Sequence, residues 1–275
     1  MVYMSLSPSE IAEAVCNACI NKVKRPSGKL FLLAILAGAY IGFGGLLATI
    51  VTQDASNFVG VGISSILSGM VFSLGLILVV VGGAELFTGN SLITVSYLSK
   101  QITLRALLKN WLIVYIGNLI GSLLLVLLIS MSGIYASNAG ALGVRAVAIS
   151  YAKVNLNTTD AFIRGILCNW LVCLAIWLST SAKDTVGKIL AVIPPITAFV
   201  AAGFEHSIAN MYLIPAGMVA QYLPIVQSKS TISQAINIQE FLGNLIPVTG
   251  GNIIGGAIFV AMLYWYIYLE DKNWT

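Results

Sequence analysis

Long uncharged stretches separated by short charged ones run along the whole chain. Leu30 to Val51 contains no Asp, Glu, Lys or Arg. A helix needs about 20 apolar residues, each rising about 1.5 Å, to cross a hydrocarbon core about 30 Å thick, so this stretch predicts a first membrane span. Between Asp54 and Lys100 the only charge is Glu85, a length too great for one ordinary helix and too small for two full ones. Asn110 to Val144 holds a third span with Trp111 and Tyr115 as interfacial anchors, and Gly165 to Ala182 a fourth. Ile189 to Ser228 repeats the awkward length of the second segment, interrupted only by Glu205 and His206. Phe241 to Leu269 forms the sixth span and ends in the aromatic run Tyr264, Trp265, Tyr266 and Tyr268.

Composition agrees with this pattern. Of 275 residues, 58% are hydrophobic and 9% charged, with a mean hydropathy of +0.93, whereas soluble domains carry roughly 25% charged residues. The reading is an all-α, multi-pass integral membrane protein. It excludes a secreted disulfide scaffold, a disordered tail and a nucleic-acid binder, since 14 basic and 10 acidic residues cannot assemble a basic face. Lys22, Lys24, Arg25, Lys29, Lys100, Arg105, Lys109, Lys183, Lys188 and Lys272 fall on one side of the spans; Arg145, Lys153, Arg164 and Lys229 fall on the other. That bias predicts both termini in the cytoplasm.

Residues 1–29 lack the apolar core of a signal peptide. Ser7-Pro8-Ser9-Glu10 has the form of a helix N-cap, and Ile11, Ala14, Val15 and Ala18 lie along one face of the helix that follows. Such a helix either rests on the cytoplasmic leaflet or packs beneath the spans. The channel domain is expected over 30–269 and a short cytoplasmic tail over 270–275. Cys16 and Cys19 form a lone C-x-x-C, while Cys168 and Cys173 lie inside a span. That is no zinc-site spacing, so free thiols and no bound metal or cofactor are expected.

The two over-long segments resemble each other. Gly83-Ala84-Glu85-Leu86-Phe87-Thr88-Gly89-Asn90 aligns with Gly203-Phe204-Glu205-His206-Ser207-Ile208-Ala209-Asn210, sharing Gly, Glu and Asn at matching places. Gly117-Asn118-Leu119-Ile120-Gly121 likewise matches Gly251-Asn252-Ile253-Ile254-Gly255. The chain is thus a repeat of spans one to three in spans four to six. Each half makes an odd number of crossings, so the repeat is inverted, and helices two and five are broken at their Glu. A carboxylate at membrane depth faces the protein interior and takes a partner. Glu85 and Glu205 are expected to accept hydrogen bonds from N–H groups freed at the breaks, or simply to staple irregular loops. His206, the sole histidine, lies at membrane depth beside an acid and is a transport candidate. Inverted symmetry brings Thr88 toward it from the opposite side.

Three stretches, Gly-Ala-Glu-Leu-Phe-Thr-Gly at 83–89, Cys-Asn-Trp-Leu-Val-Cys-Leu-Ala at 168–175 and Gly-Phe-Glu-His-Ser-Ile-Ala-Asn at 203–210, resemble the formate/nitrite transporter family of small-anion channels. The resemblance implies an aquaporin-like six-helix protomer and a homopentamer with one pore per protomer, in a cell (inner) membrane. It places Thr88 and His206 in a central chamber. Phe72, Leu76, Leu86, Phe199 and Val172 would form hydrophobic constrictions, Asn169 and Asn252 would supply polar contacts, and Lys153, in the loop before span four, would draw anions to the outer mouth. The implied function is a channel for formate or a similar weak-acid anion, with proton-linked passage at His206; nitrite and hydrosulfide are alternatives. A competing version keeps His206 as a hydrogen-bond donor or fixed charge. The chain is not expected to be an enzyme. An intramembrane serine hydrolase using Ser91 or Ser207 would share the span count, but no serine sits in a G-x-S-x-G and the repeat would go unexplained.

Overall fold

The computed structural model describes residues 5–232, 234–272 and 274. Helix α1 (Pro8–Lys24) starts from a full capping box: the Ser7 side chain accepts from the Glu10 N–H, and the Glu10 carboxylate accepts from the Ser7 N–H. Its buried face is Ile11, Ala12, Val15, Cys16 and Cys19, rotated from the face expected. It packs on Leu92, Ile93, Val95, Leu107 and Trp177, as a helix seated beneath the spans.

The first span is α2 (Ser27–Thr52). The second comprises α3 (Ser56–Gly82), a break at 83–86, then α4 (Phe87–Asn90), a tight turn over Ser91–Ile93 and α5 (Thr94–Leu98). The third, α6 (Leu104–Met131), is capped by Thr103. Between the halves lies α7 (Ala141–Val154), where the sequence suggested only the tail of span three and a loop. The fourth span, α8 (Thr158–Ser181), is capped by Asn157. The fifth is split into α9 (Thr185–Ala201), capped by Asp184, and α10 (Ser207–Ala220). A short α11 (Pro224–Gln227) precedes the sixth span, where α12 (Ile238–Gly256) opens in a second capping box and a π-helical turn (Ala257–Met262) leads into α13 (Leu263–Tyr268). Among the described residues five helical stretches are long and apolar enough to cross a membrane alone, and α9 with α10 supply the sixth crossing.

Small residues set the packing of each half. A Cβ on Gly121 would collide with the Ile35 carbonyl of α2, and one on Gly38 with the Asn118 carbonyl of α6. In the second half Gly251 and Gly255 meet the Phe162 and Ile166 carbonyls of α8 in the same way. The pairs α2–α6 and α8–α12 therefore approach backbone to backbone, as small residues permit between membrane helices. Side chains such as Leu32, Leu112 and Ile246 point outward and are largely exposed, as expected where lipid or a neighbouring subunit takes the place of water.

Candidate functional site

The site is built on the two helix breaks. Helix α3 is closed by Gly83 (φ +80°), and Gly203 (φ +70°) follows the end of α9, left-handed conformations that glycine adopts without the Cβ penalty. After each glycine the chain crosses the bundle in extended form. Glu85 donates its N–H to the Leu33 carbonyl and Glu205 its N–H to the Arg164 carbonyl, both at 3.2 Å.

The backbone groups freed at each break are satisfied by an asparagine, not by the glutamates. Asn118 Oδ1 accepts the Phe87 N–H (2.9 Å), while its Nδ2 donates to the carbonyls of Ala34 (2.7 Å) and Glu85 (2.9 Å). Asn252 repeats all three bonds: Oδ1 accepts the Ser207 N–H (2.8 Å), and Nδ2 donates to the carbonyls of Gly165 (2.8 Å) and Glu205 (2.9 Å). Asn252, expected to line the path, is thus fully engaged as a brace. This corrects the expectation that Glu85 and Glu205 accept from loop N–H groups. Glu85 Oε2 accepts from Asn90 Nδ2 (3.0 Å) and Glu205 Oε2 from Asn210 Nδ2 (2.6 Å). The same two amides donate to Asn110 Oδ1 (2.9 Å) and Asn244 Oδ1 (2.7 Å). Asn110 and Asn244 escaped the sequence reading, although each stands eight places before the bracing asparagine in an otherwise apolar helix.

Each carboxylate also has a cation. Glu85 holds Lys22 (3.1 Å) and Arg25 (2.6 Å), and Glu205 holds Lys153 (2.8 Å). Lys153 is therefore not a loop residue but lies in the last turn of α7, and its charge is already partnered. Leu33 and Arg164, Ala34 and Gly165, and Lys22 and Lys153 all stand at one constant offset along the chain, so α1 and α7 occupy equivalent places in the repeat.

Thr88 and His206 meet between the breaks. Thr88 Oγ1 lies 2.9 Å from His206 Nε2, with the threonine at 0% and the histidine at 2% exposure. His206 is also the N-cap of α10, its Nδ1 accepting the Ala209 N–H at 3.0 Å. A backbone N–H can only donate, so Nδ1 carries no proton and the neutral ring bears its hydrogen on Nε2, which donates to Thr88. Asn169 closes the chamber from α8, the two hydrogens of its Nδ2 shared among the carbonyls of Thr88 (3.1 Å) and Asn252 (2.6 Å) and Ser91 Oγ (3.2 Å); its Oδ1 is buried with no partner among the described residues. With Ser91 bound to Asn169 and His206 Nδ1 occupied by its helix, neither serine has the base a hydrolase needs.

Two cavities approach this chamber from opposite ends. That on the α7 side is about 320 Å³ and includes Phe72, Phe199, His206, Lys153 and Glu205 in its wall. Its floor is an aromatic pair, Phe72 and Phe199, with centroids 5.7 Å apart and planes at 86°, and Phe199 stacks on His206 at 5.9 Å. The cavity on the α1 side, about 480 Å³, ends on Leu86 and Gly89 and is bordered by Lys22, Arg25 and Glu85. Leu76 and Val172 are buried in the same apolar core as Phe72, Leu86 and Phe199 and border neither cavity.

The comparisons fit this geometry. The family model for formate/nitrite transporters matches residues 9–266. The probable formate transporter of Methanothermobacter thermautotrophicus is 42% identical over 96% of this chain and 98% of that protein. The formate channel FocA of Escherichia coli (strain K12) is 40% identical over 98% of this chain and 96% of that protein. A solved pentameric formate channel with formate bound superposes with a TM-score of 0.82 at 42% identity, covering 88% of this chain and 98% of that one. With its paired broken helices and six crossings, this chain is a multi-pass membrane protein that belongs to the formate/nitrite transporter family.

Proposed function

We propose that this chain is a homopentameric formate channel of the cell (inner) membrane, with α1 and both termini cytoplasmic and proton-linked passage at the Thr88–His206 pair. The observation that carries the reading is the 2.9 Å contact of Thr88 Oγ1 with His206 Nε2, sealed by apolar side chains between two cavities. The named formate channels and the pentameric structure among its relatives support formate as substrate and five subunits as the assembly. The excess of Lys and Arg on the α1 side supports the orientation.

A bare anion meets a large solvation penalty in a neck walled by Phe and Leu, and formic acid does not. His206 Nε2–H occupies a lone pair of the Thr88 oxygen, which turns the Thr88 O–H toward the chamber and strengthens it as a donor. Formate arriving there is held by that hydroxyl and takes a proton supplied from the vestibule water. It then crosses as the neutral acid and releases the proton on the far side. A doubly protonated ring would face the Ala209 N–H with a second donor and lose the α10 cap, so His206 works in its neutral form.

Formate flux into proteoliposomes across pH 5 to 8 tests the reading. His206→Asn and Thr88→Val are each expected to slow flux about tenfold or more, the scale of losing a hydrogen bond to a charged group at about 1.5–3 kcal/mol, and to change its pH dependence. Unchanged rate and unchanged pH dependence for His206→Asn would overturn proton-linked passage at that residue. Nitrite and hydrosulfide are conjugate bases of weak acids of similar size, and competition of each against formate in the same vesicles ranks them.

A further inference from the structure

At the α7-side break the one cation is paired with the one carboxylate, which leaves the positive charge of that vestibule on residues outside the network. Lys153 is tied to Glu205 at 2.8 Å, and Glu205 is the sole acid in the wall of that cavity. Arg164 sits at the rim, donating to the Gly203 carbonyl at 3.4 Å. Arg145 lies deeper. Its side chain projects from α7 and is half-buried, and Nε donates to Thr52 Oγ1 at 3.0 Å. Among the described residues no carboxylate lies within ion-pair distance of it. A guanidinium has five N–H donors, so most of this one's capacity, and its whole charge, is directed at the cavities it borders.

Arg145 borders two. One is the α7-side vestibule; the other is an adjoining recess of about 300 Å³, whose wall is Thr52, Ser56, Ser64, Ser65 and Ser68 with Val61 and Val200, and no acid. Thr52 donates its hydroxyl to the Ala48 carbonyl, and the four serine hydroxyls beside a half-buried guanidinium with no carboxylate partner form the donor set a carboxylate prefers: a planar two-pronged partner, with O–H groups for the remaining lone pairs.

We propose that Arg145 and the hydroxyls of this recess form an outer binding site for small monocarboxylates, distinct from the Thr88–His206 chamber. It loads the vestibule just ahead of the Phe72–Phe199 floor. The proposal rests on the formate reading for the identity of its ligand, but not for the existence of an anion site. A fixed charge at the mouth of a cavity with low-dielectric walls raises the local anion concentration, so its removal acts on saturation and not on the crossing step.

Two measurements test it separately from the function of the channel. In bromide-soaked crystals of the full chain, the anomalous map is expected to show a peak at the Arg145 guanidinium that is lost in Arg145→Gln. In proteoliposomes at low ionic strength, Arg145→Gln is expected to raise the half-saturating external formate concentration about three- to tenfold with maximal flux unchanged, an effect that shrinks in 0.5 M salt. Arg145→Lys keeps the charge and should shift half-saturation less. Should Arg145→Gln fail to assemble, the double variant Ser65→Ala/Ser68→Ala leaves the cation in place and is expected to weaken the bromide peak and raise half-saturation about two- to threefold. No bromide at Arg145 in the wild-type protein overturns the site. So does an unchanged half-saturation in an assembled Arg145→Gln channel. A bromide peak in a protein that passes no formate sustains the site and overturns the formate reading instead.

Discussion

The bracing asparagines allow a test in which the ordinary logic of apolar cores gives the wrong answer. Asn252 is 0% exposed, and its amide makes three bonds, at 2.8, 2.8 and 2.9 Å, to backbone groups of two other segments, α8 and the break before α10. The Gly165 carbonyl keeps its place in the ladder of α8, but the Ser207 N–H, at the start of α10, and the Glu205 carbonyl, in the break, have no helix partner to fall back on at membrane depth. Asn252→Leu removes all three bonds and fills the space, so each orphaned group carries its full desolvation cost of about 1–3 kcal/mol. The sum over the two stranded groups is on the order of 2–6 kcal/mol, a large share of a typical total stability of about 5–15 kcal/mol. Asn252→Ala removes the same bonds but opens a polar void that a water can occupy and partly repair, for about 1–3 kcal/mol net. The leucine variant should therefore be the less stable of the two, although leucine is more apolar and nearer asparagine in volume. Folded fraction after heating in detergent, read by size exclusion, should put the leucine variant roughly 10 °C or more below wild type and the alanine variant between them. A leucine variant that melts with wild type, or above the alanine variant, would refute the assignment of Asn252 as a brace.

Lys153→Met strands the buried carboxylate of Glu205 and should cost about 3–5 kcal/mol of stability, while the double variant Lys153→Met/Glu205→Gln should recover most of it; lack of coupling in this cycle would show that the 2.8 Å pair is not structural. Burial pushes the Cys19 thiol up to about 12, so at pH 7.5 its thiolate fraction is about 3 in 10⁵. Maleimide should therefore label Cys19 in the denatured protein and leave it unlabelled in the folded one, as followed by mass spectrometry. Gly121→Ala drives a methyl into the Ile35 carbonyl between two packed backbones, a case of overpacking without a flexible side chain to yield; the expected result is loss of assembled protein on expression, and a normally expressed, active variant would contradict the close α2–α6 approach.

The spans, the two breaks and the meeting of Thr88 with His206 were legible in the sequence because each is a departure from a nearly uniform apolar background. A single Glu in more than forty residues cannot be hidden by packing preferences, and the matching Gly, Glu and Asn place both breaks without reference to contacts. What stayed hidden has a common cause. Helix α7 carries Ala, Val and Ile straight on from the apolar tail of span three, so periodicity alone does not separate them and leaves Lys153 in a loop. Asn118 and Asn252 were recognised as parts of a repeat, but which buried groups an amide satisfies depends on three chain segments at once. Arg145 looked like one loop charge among four; its lack of a counter-charge is a property of the surrounding fold.

The repeat also separates what holds the breaks open from what fills the neck. Glu85 and Glu205, Asn90 and Asn210, Asn110 and Asn244, Asn118 and Asn252, and Lys22 and Lys153 occupy equivalent positions and make corresponding contacts. All of them act on backbone or on one another, and each repairs the same defect, an interrupted helix in a medium that offers no hydrogen bonds. At the positions facing the neck the two halves diverge: His206 aligns with Leu86, and Thr88 with Ile208. The divergence places the polar pair at a single level, with His206 in the wall of the α7-side cavity and Leu86 closing the α1-side one. Two imidazoles facing each other would repeat the same donor twice and leave no hydroxyl for a carboxylate, whereas one histidine polarising one threonine makes a single directed donor between apolar walls. A symmetric frame can therefore carry an asymmetric site, because the residues that solve the backbone problem are not those that meet the substrate.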